Sequence, residues 1–240
     1  MNETYFAGAY WGPRKESAEE CAQRAESFFS ILPRVDSSFA NWFQQGKSRK
    51  DALKRPIELS RTALEKIVRR GRDRVFDDLG FRFSAWNGAS DDYDGSSFNV
   101  TCGGSTNVVC NRCVLNLPNR GPNAERVLTS SVVSRLVRSM AIAWDPDSAV
   151  GMSSSHLQMV DKGVPFAVLP GWVTYLARHR GTVPPLPAPV HIELVEDKGT
   201  LIILTPERFT VGNPEHVALA ERVRDLLDRA GVLKPLQLQS

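Results

Sequence analysis

Residues Val190 to Thr205 read VHIELVEDKGTLIILT: two apolar-rich runs joined by Glu196, Asp197, Lys198 and Gly199. The first run alternates Val190, Ile192 and Leu194 with His191, Glu193 and Val195, a period of two that predicts a strand burying Val190, Ile192 and Leu194. The second is almost unbroken from Leu201 to Leu204, which predicts a strand buried on both faces and so placed centrally in a sheet. Together they predict a β-hairpin. Pro184, Pro185, Pro187 and Pro189 lead into it, and because proline fixes φ and cannot donate to a ladder, the first strand begins only after Pro189. The hairpin is scaffold, so any chemistry must be sought in the flanking segments.

Downstream, Asn213 caps a helix with Pro214 in its first turn and Val217, Ala220, Val223, Leu227 and Ala230 on one stripe, closed by Gly231 and predicted to cover the sheet. Upstream, Gly171 to Leu176 is too short for periodicity to decide between strand and helix. Ser148 to Ser155 reads as a strand, followed by a short polar helix or turn from His156 to Lys162. A long helix is predicted from Pro122 or Asn123 to Trp144, apolar on more than one side through Val127, Leu128, Val132, Val133, Leu136, Val137 and Met140, and so wedged between layers.

In the first third, Thr4 to Trp11 predicts a strand stopped by Gly12-Pro13. Ser17 with Glu20 forms a capping-box pattern at the head of a helix whose stripe, Cys21, Ala25, Phe28, Phe29 and Leu32, ends at Pro33. A shorter helix is expected from Ser37 to Gln45, with Gly46 as its stop. Strands follow at Phe81 to Trp86, Ser97 to Cys102 and Cys113 to Leu117. The whole reads as α+β: a mainly antiparallel or mixed sheet of roughly six to eight strands with helices packed on it, in one domain spanning 1–240.

At 240 residues, 42% apolar and 24% charged, with no run approaching eighteen apolar residues and no signal-peptide pattern, the chain is expected to be a cytoplasmic globular protein. Its four cysteines are too few for a disulfide framework. Cys102, Cys110 and Cys113 lack a fourth partner at zinc-site spacing and read better as small buried strand residues.

Lys47 to Arg74 holds eleven Lys or Arg against four acidic residues, a local net charge of +7, which leaves −4 for the remainder of a chain of net charge +3. Within it Ser60 caps a helix with Ala63, Leu64, Ile67 and Val68 facing inward. A nucleic-acid groove would interleave aromatics for stacking, and none occurs before Phe76, so a solvated basic face is the simpler reading. Nucleic-acid binding, or a metal-dependent nuclease using this stretch and the acidic residues on either side of Phe81, stands as the alternative.

Ala89 to Gly95, ASDDYDG, has no Glu at the twelfth ligand position of a calcium loop and reads as an acidic surface loop. Asp91, Asp92 and Asp94 beside Tyr93, with Trp86 nearby, suit a basic protein partner: carboxylates speed encounter and aromatics supply contact area. No nucleophile elbow, P-loop, dinucleotide fingerprint or H-E-x-x-H occurs, and His156, His179, His191 and His216 are scattered singly. No catalytic residue, metal site or cofactor is therefore expected.

The stretches AGAYWGPRKESAEECAQRAESFF, WFQQGKSRKDALKRP, WNGASDD, PGWVTYLARHRGTVPPLPAPVHIELVEDKGTLIILT and RFTVGNPEHVALAERVRDLLDRAG, in this order from about Tyr5 to Gly231, resemble the immunity protein 52 family of bacterial polymorphic toxin systems. The resemblance implies a cytoplasmic antitoxin that binds and neutralises a cognate toxin domain. Such toxins are commonly restriction-endonuclease-like nucleases delivered by type VI secretion or a related contact-dependent route. It implies inhibition by stoichiometric binding rather than turnover, and it carries no catalytic residues onto this sequence. The loop with Trp86, Asp91, Asp92, Tyr93 and Asp94 is the expected toxin-binding site.

Overall fold

A computed structural model of the chain, describing residues 3–236, places the predicted hairpin at one edge of a nine-stranded sheet. The strands are β1 (Tyr5–Trp11), β2 (Phe43–Gln44), β3 (Phe81–Trp86), β4 (Ser97–Cys102), β5 (Asn111–Asn116), β6 (Ser148–Ser153), β7 (Val173–Ala177), β8 (His191–Val195) and β9 (Gly199–Ile203). They lie in the order β2-β3-β4-β5-β1-β6-β7-β9-β8, and every pairing is antiparallel. Among the described residues there are seven α-helices: α1 (Ala18–Val35), α2 (Arg49–Ala52), α3 (Arg61–Arg70), α4 (Pro122–Val127), α5 (Ser130–Trp144), α6 (Ser154–Val160) and α7 (Pro214–Arg229). This is an α+β architecture. None of these helices is long and apolar enough to cross a membrane.

Alternation of side chains along each strand sorts the sheet into two faces. One face is covered by α1 and α5. Trp11 of β1 stacks on Trp144 of α5 with centroids 5.7 Å apart, and Phe29 of α1 meets Phe98 of β4 at 5.0 Å. Gly151 of β6 is a close-approach position, since a Cβ there would sit 2.3 Å from the Val133 side chain of α5. The other face is covered only in part: Phe166 and Leu236 lie against Phe6, Val150 and Met152, around a cavity of ≈ 390 Å³. Over β3, β4 and β5 this second face is open, with Arg82, Asn99, Arg112 and Asn116 exposed.

The hairpin differs from expectation in which face is buried. Ile192 and Leu194 are 40% and 74% exposed, whereas Val195 is fully buried. β8 is the edge strand, and its helix-covered side carries His191, Glu193 and Val195. There Arg138 of α5 pairs with Glu193 and donates to the Leu194 carbonyl at 3.0 Å, occupying an edge acceptor that would otherwise invite another strand. β9 is buried on both faces as expected, with Leu201 and Ile202 inaccessible, but it stands second from the edge rather than centrally.

Other local readings hold. The capping box forms, with Glu20 N–H donating to Ser17 Oγ at 3.2 Å and Ser17 N–H to Glu20 Oε2 at 2.7 Å. Ser60 caps α3, and Asn213 caps α7 by accepting from Glu215 N at 3.0 Å. The stretch Gly171 to Leu176 is strand from Val173 onward, within β7.

Four expectations are corrected. α1 runs through Pro33 to Val35, its last turn closed by Asp36 N–H on the Leu32 carbonyl at 3.2 Å and anchored by buried Leu32 and Val35. The helix expected over Ser37 to Gln45 is instead one 3-10 turn, Ser37–Phe39, followed by β2. Residues 42–44 exchange backbone bonds with 55–57 and Phe43 pairs with Trp86, which outweighs local helical propensity. The long helix is broken at Leu128, after which Thr129 caps α5 afresh. Finally, α7 docks beside α6, where Arg224 donates to the Val160 carbonyl at 3.4 Å, so that α1 and α5 provide the main cover of the sheet.

Candidate functional site

The loop joining β3 to β4 is closed at its base by Asn87. Its N–H donates to the Ser96 carbonyl and its Oδ1 accepts from Ser96 N–H, both at 2.9 Å, while Nδ2 donates to the Ser38 carbonyl at 3.1 Å. Asp91 then turns the chain by accepting Tyr93 N–H at 2.9 Å, which opens the 3-10 turn Asp92–Asp94. This is the local behaviour of an aspartate that mimics a backbone turn.

The three aspartates have different employment. Asp94 accepts the backbone N–H groups of Asn123 at 2.9 Å and Ala124 at 3.2 Å. It thus caps α4 from a remote segment, where the N-cap residue, Gly121, has no side chain to do so. Asp91 lies 3.8 Å from Arg120, whose guanidinium also covers the Tyr93 ring at 3.7 Å from its centroid. Asp92 is exposed, and its carboxylate has no hydrogen-bond or ion-pair partner among the described residues. Tyr93 is 52% exposed, and its carbonyl accepts Asn119 N–H at 2.8 Å.

Trp86, at the end of β3, is half-buried. Phe43 meets it on one side at 6.3 Å and the Arg49 guanidinium lies over its ring at 5.5 Å. Arg49 continues into the loop, donating to the Ala89 and Ser90 carbonyls. The structure therefore brings together all five residues singled out by sequence, but interleaves them with two arginines that sequence reasoning missed. Arg120 is 27 residues beyond Tyr93, and Arg49 lies within a basic stretch read only for its bulk charge; no local pattern marks either. Three carboxylates and two guanidiniums make a mixed-charge surface, on which Asp91, Asp92 and Tyr93 are exposed and Trp86 is half-buried.

Of the histidines, His156 and His216 pack against the same Phe209 ring, while His179 and His191 lie elsewhere. His156 is buried against Phe209, centroids 4.7 Å apart, and burial lowers its pKa. His216 stacks on the same Phe209 at 5.4 Å and accepts Thr210 N–H at 3.2 Å, whereas His179 meets Asp147 at 2.7 Å and His191 meets Glu193 at 3.3 Å. Cys102 and Cys113 are buried strand residues: a hydrogen bond that the Cys102 thiol donates to Cys21, together with burial, pushes the first thiol up, and burial pushes the second up. Among the described residues no group of three or more His, Cys, Asp or Glu is placed to hold a metal ion.

The basic stretch is dispersed by ion pairs. Arg55 meets Asp51 at 2.9 Å, Arg61 meets Glu26 at 3.1 Å, Arg69 meets Glu65 and Arg72 meets Asp77 at 3.0 Å. Beside it, Val75 and Phe76 stand out as exposed apolar residues, their N–H groups held by the Asp73 carboxylate at 3.0 and 2.9 Å.

The family model described as Immunity protein 52 matches residues 3–236 of the chain. Among solved structures the chain is similar to the Pseudomonas aeruginosa T6SS protein PA0821, at 12% identity and a TM-score of 0.60, over 99% of this chain and 79% of that one. At that identity the likeness concerns the fold. No curated protein matches in sequence.

Proposed function

Since the chain belongs to the immunity protein 52 family, we propose that it binds a cognate toxin domain in the cytoplasm and neutralises it by stoichiometric complex formation. The observation that carries this reading is the family match across 3–236, which takes in the entire sheet and every helix described. The proposed toxin is a restriction-endonuclease-like nuclease, the class that the family resemblance suggests.

The contact surface in this reading is the β3–β4 loop. Asp92 and Tyr93 project from a turn already anchored at both ends, so little conformational entropy is lost when a partner engages them. An aromatic beside a carboxylate suits a basic surface such as the nucleic-acid cleft of a nuclease. No turnover is required, and the mechanism is occlusion.

Calorimetric titration of the purified protein into the toxin domain encoded beside it tests the reading. Saturation at a fixed ratio with loss of toxin activity at that ratio supports it. Absence of binding to that domain, with activity intact, refutes it.

A further inference from the structure

We propose that the open face of β3, β4 and β5 is a second part of the toxin footprint, and that Arg82 and Arg112 on it receive carboxylates of the toxin. This inference rests on the immunity reading above and adds to it where, and by what chemistry, a second contact is made.

The register aligns Arg82 of β3, Thr101 of β4 and Arg112 of β5 in one row across the sheet. Two strand spacings separate the arginines, about 10 Å. Both are exposed, and neither has an ion pair or a hydrogen bond among the described residues, in contrast to Arg55, Arg61, Arg69 and Arg72 nearby. Along the strands they border a shallow groove of ≈ 400 Å³, continued by Ser84, Asn99 and Asn116, and no acidic residue lines it. α1, through Phe29 on Phe98 of β4, and α3, against β3, are packed on the reverse of these strands, so the backbone that carries the arginines is held rigid.

An antiparallel sheet commonly leaves one face to water, so openness alone implies no partner. The charge is what selects one. Two guanidiniums without an ion pair on a flat hydrogen-bonding surface, with no carboxylate lining the groove between them, are complementary to an acidic protein patch, and Arg is the side chain best suited to bidentate carboxylate pairing. A nucleic-acid strand would need a longer run of cations and stacking aromatics. Of the aromatics on this face, Trp86 at the far end of β3 is already covered by Arg49, and Tyr10, cross-strand from Arg112, is largely buried, so neither offers an open stacking platform. Four residues of strand, about 13 Å, lead from Arg82 to Trp86 and the Asp92 loop, so one interface of ordinary size spans both.

The test is calorimetry of R82E/R112E against the neighbouring toxin domain at low and high salt, beside the unaltered protein, with thermal melting to check the fold. The expected result is affinity weakened by about tenfold or more, together with a shallower salt dependence. R82Q/R112Q should weaken binding in the same direction by less, which keeps the test valid if charge reversal disturbs folding. Unchanged affinity in both variants, beside tight binding by the unaltered protein, overturns the inference and leaves the immunity reading standing. If the unaltered protein does not bind the toxin, both fall. Retardation of DNA by the unaltered protein that is abolished in the variants would overturn the assignment of an acidic protein partner in favour of nucleic acid.

Discussion

Asp94 accepts the backbone N–H of Asn123 at 2.9 Å, and this bond makes one carboxylate of an apparently solvated acidic loop into the cap of a helix 29 residues further on. The loop is thereby tied to α4. Asp92, two residues earlier, makes no such bond, so the two aspartates should respond differently to the same substitution.

Asp94→Ala should destabilise the protein by about 1 kcal/mol, within the 0.5 to 2 kcal/mol range of a lost helix cap. Asp92→Ala should stay within about 0.5 kcal/mol of the unaltered protein. Urea denaturation of both variants checks this, and equal stabilities would show that the Asp94 bonds contribute nothing.

The inverted hairpin makes a second contrast. Val195→Ala removes two buried methyl groups and should cost about 2 kcal/mol from transfer and cavity terms. Leu194→Ala, on the exposed side of the edge strand, should lie within about 0.5 kcal/mol of zero despite removing more atoms. The opposite ranking in denaturation midpoints would restore the face expected from the alternation.

These cases show what the sequence carried. Local chemistry was legible: Ser17 with Glu20, Ser60 and Asn213-Pro214 each mark a helix start because capping needs only neighbours, and Pro189 marks the hairpin entry for the same reason. What a distant segment decides was not. Apolar alternation in β8 points to one face, but α5 lies on the other, and an edge strand can leave Ile192 and Leu194 in water. Residues 43–44 have helical neighbours in sequence yet pair with Trp86 and Ala85. The five loop residues were found by composition, whereas Arg120 over Tyr93 and Arg49 over Trp86 are tertiary contacts with no sequence signature.

Buried His156 predicts a pH dependence of stability. Its pKa is lowered from 6.5 in the fold, chiefly by burial, so as pH falls the unfolded chain takes up this proton first. Its contribution is fully present above about 6.5 and is lost as pH falls below that value toward the folded pKa. Denaturation midpoints at a series of pH values should therefore decline on the acid side of 6.5, and His156→Gln should flatten that limb. An unchanged slope in the variant would assign it to other groups.

Tyr93 should be an energetic contact in the proposed complex. Tyr93→Ala should weaken toxin binding by about tenfold or more, the loss of an aromatic hot spot, while Tyr93→Phe keeps most of the affinity because the ring supplies the contact. Surface plasmon resonance with the immobilised toxin domain reads both. Equal affinity of the alanine variant and the unaltered protein would move the interface away from this loop.

The most direct test of the account is the activity of the cognate toxin domain measured against increasing amounts of this protein. Stoichiometric neutralisation predicts activity that falls linearly and is abolished at one fixed molar ratio, with the complex recovered intact by size-exclusion chromatography. Full activity at a large excess of the protein, or inactivation by a small fraction of an equivalent, would contradict it: the first would deny the immunity role and the second would reveal turnover.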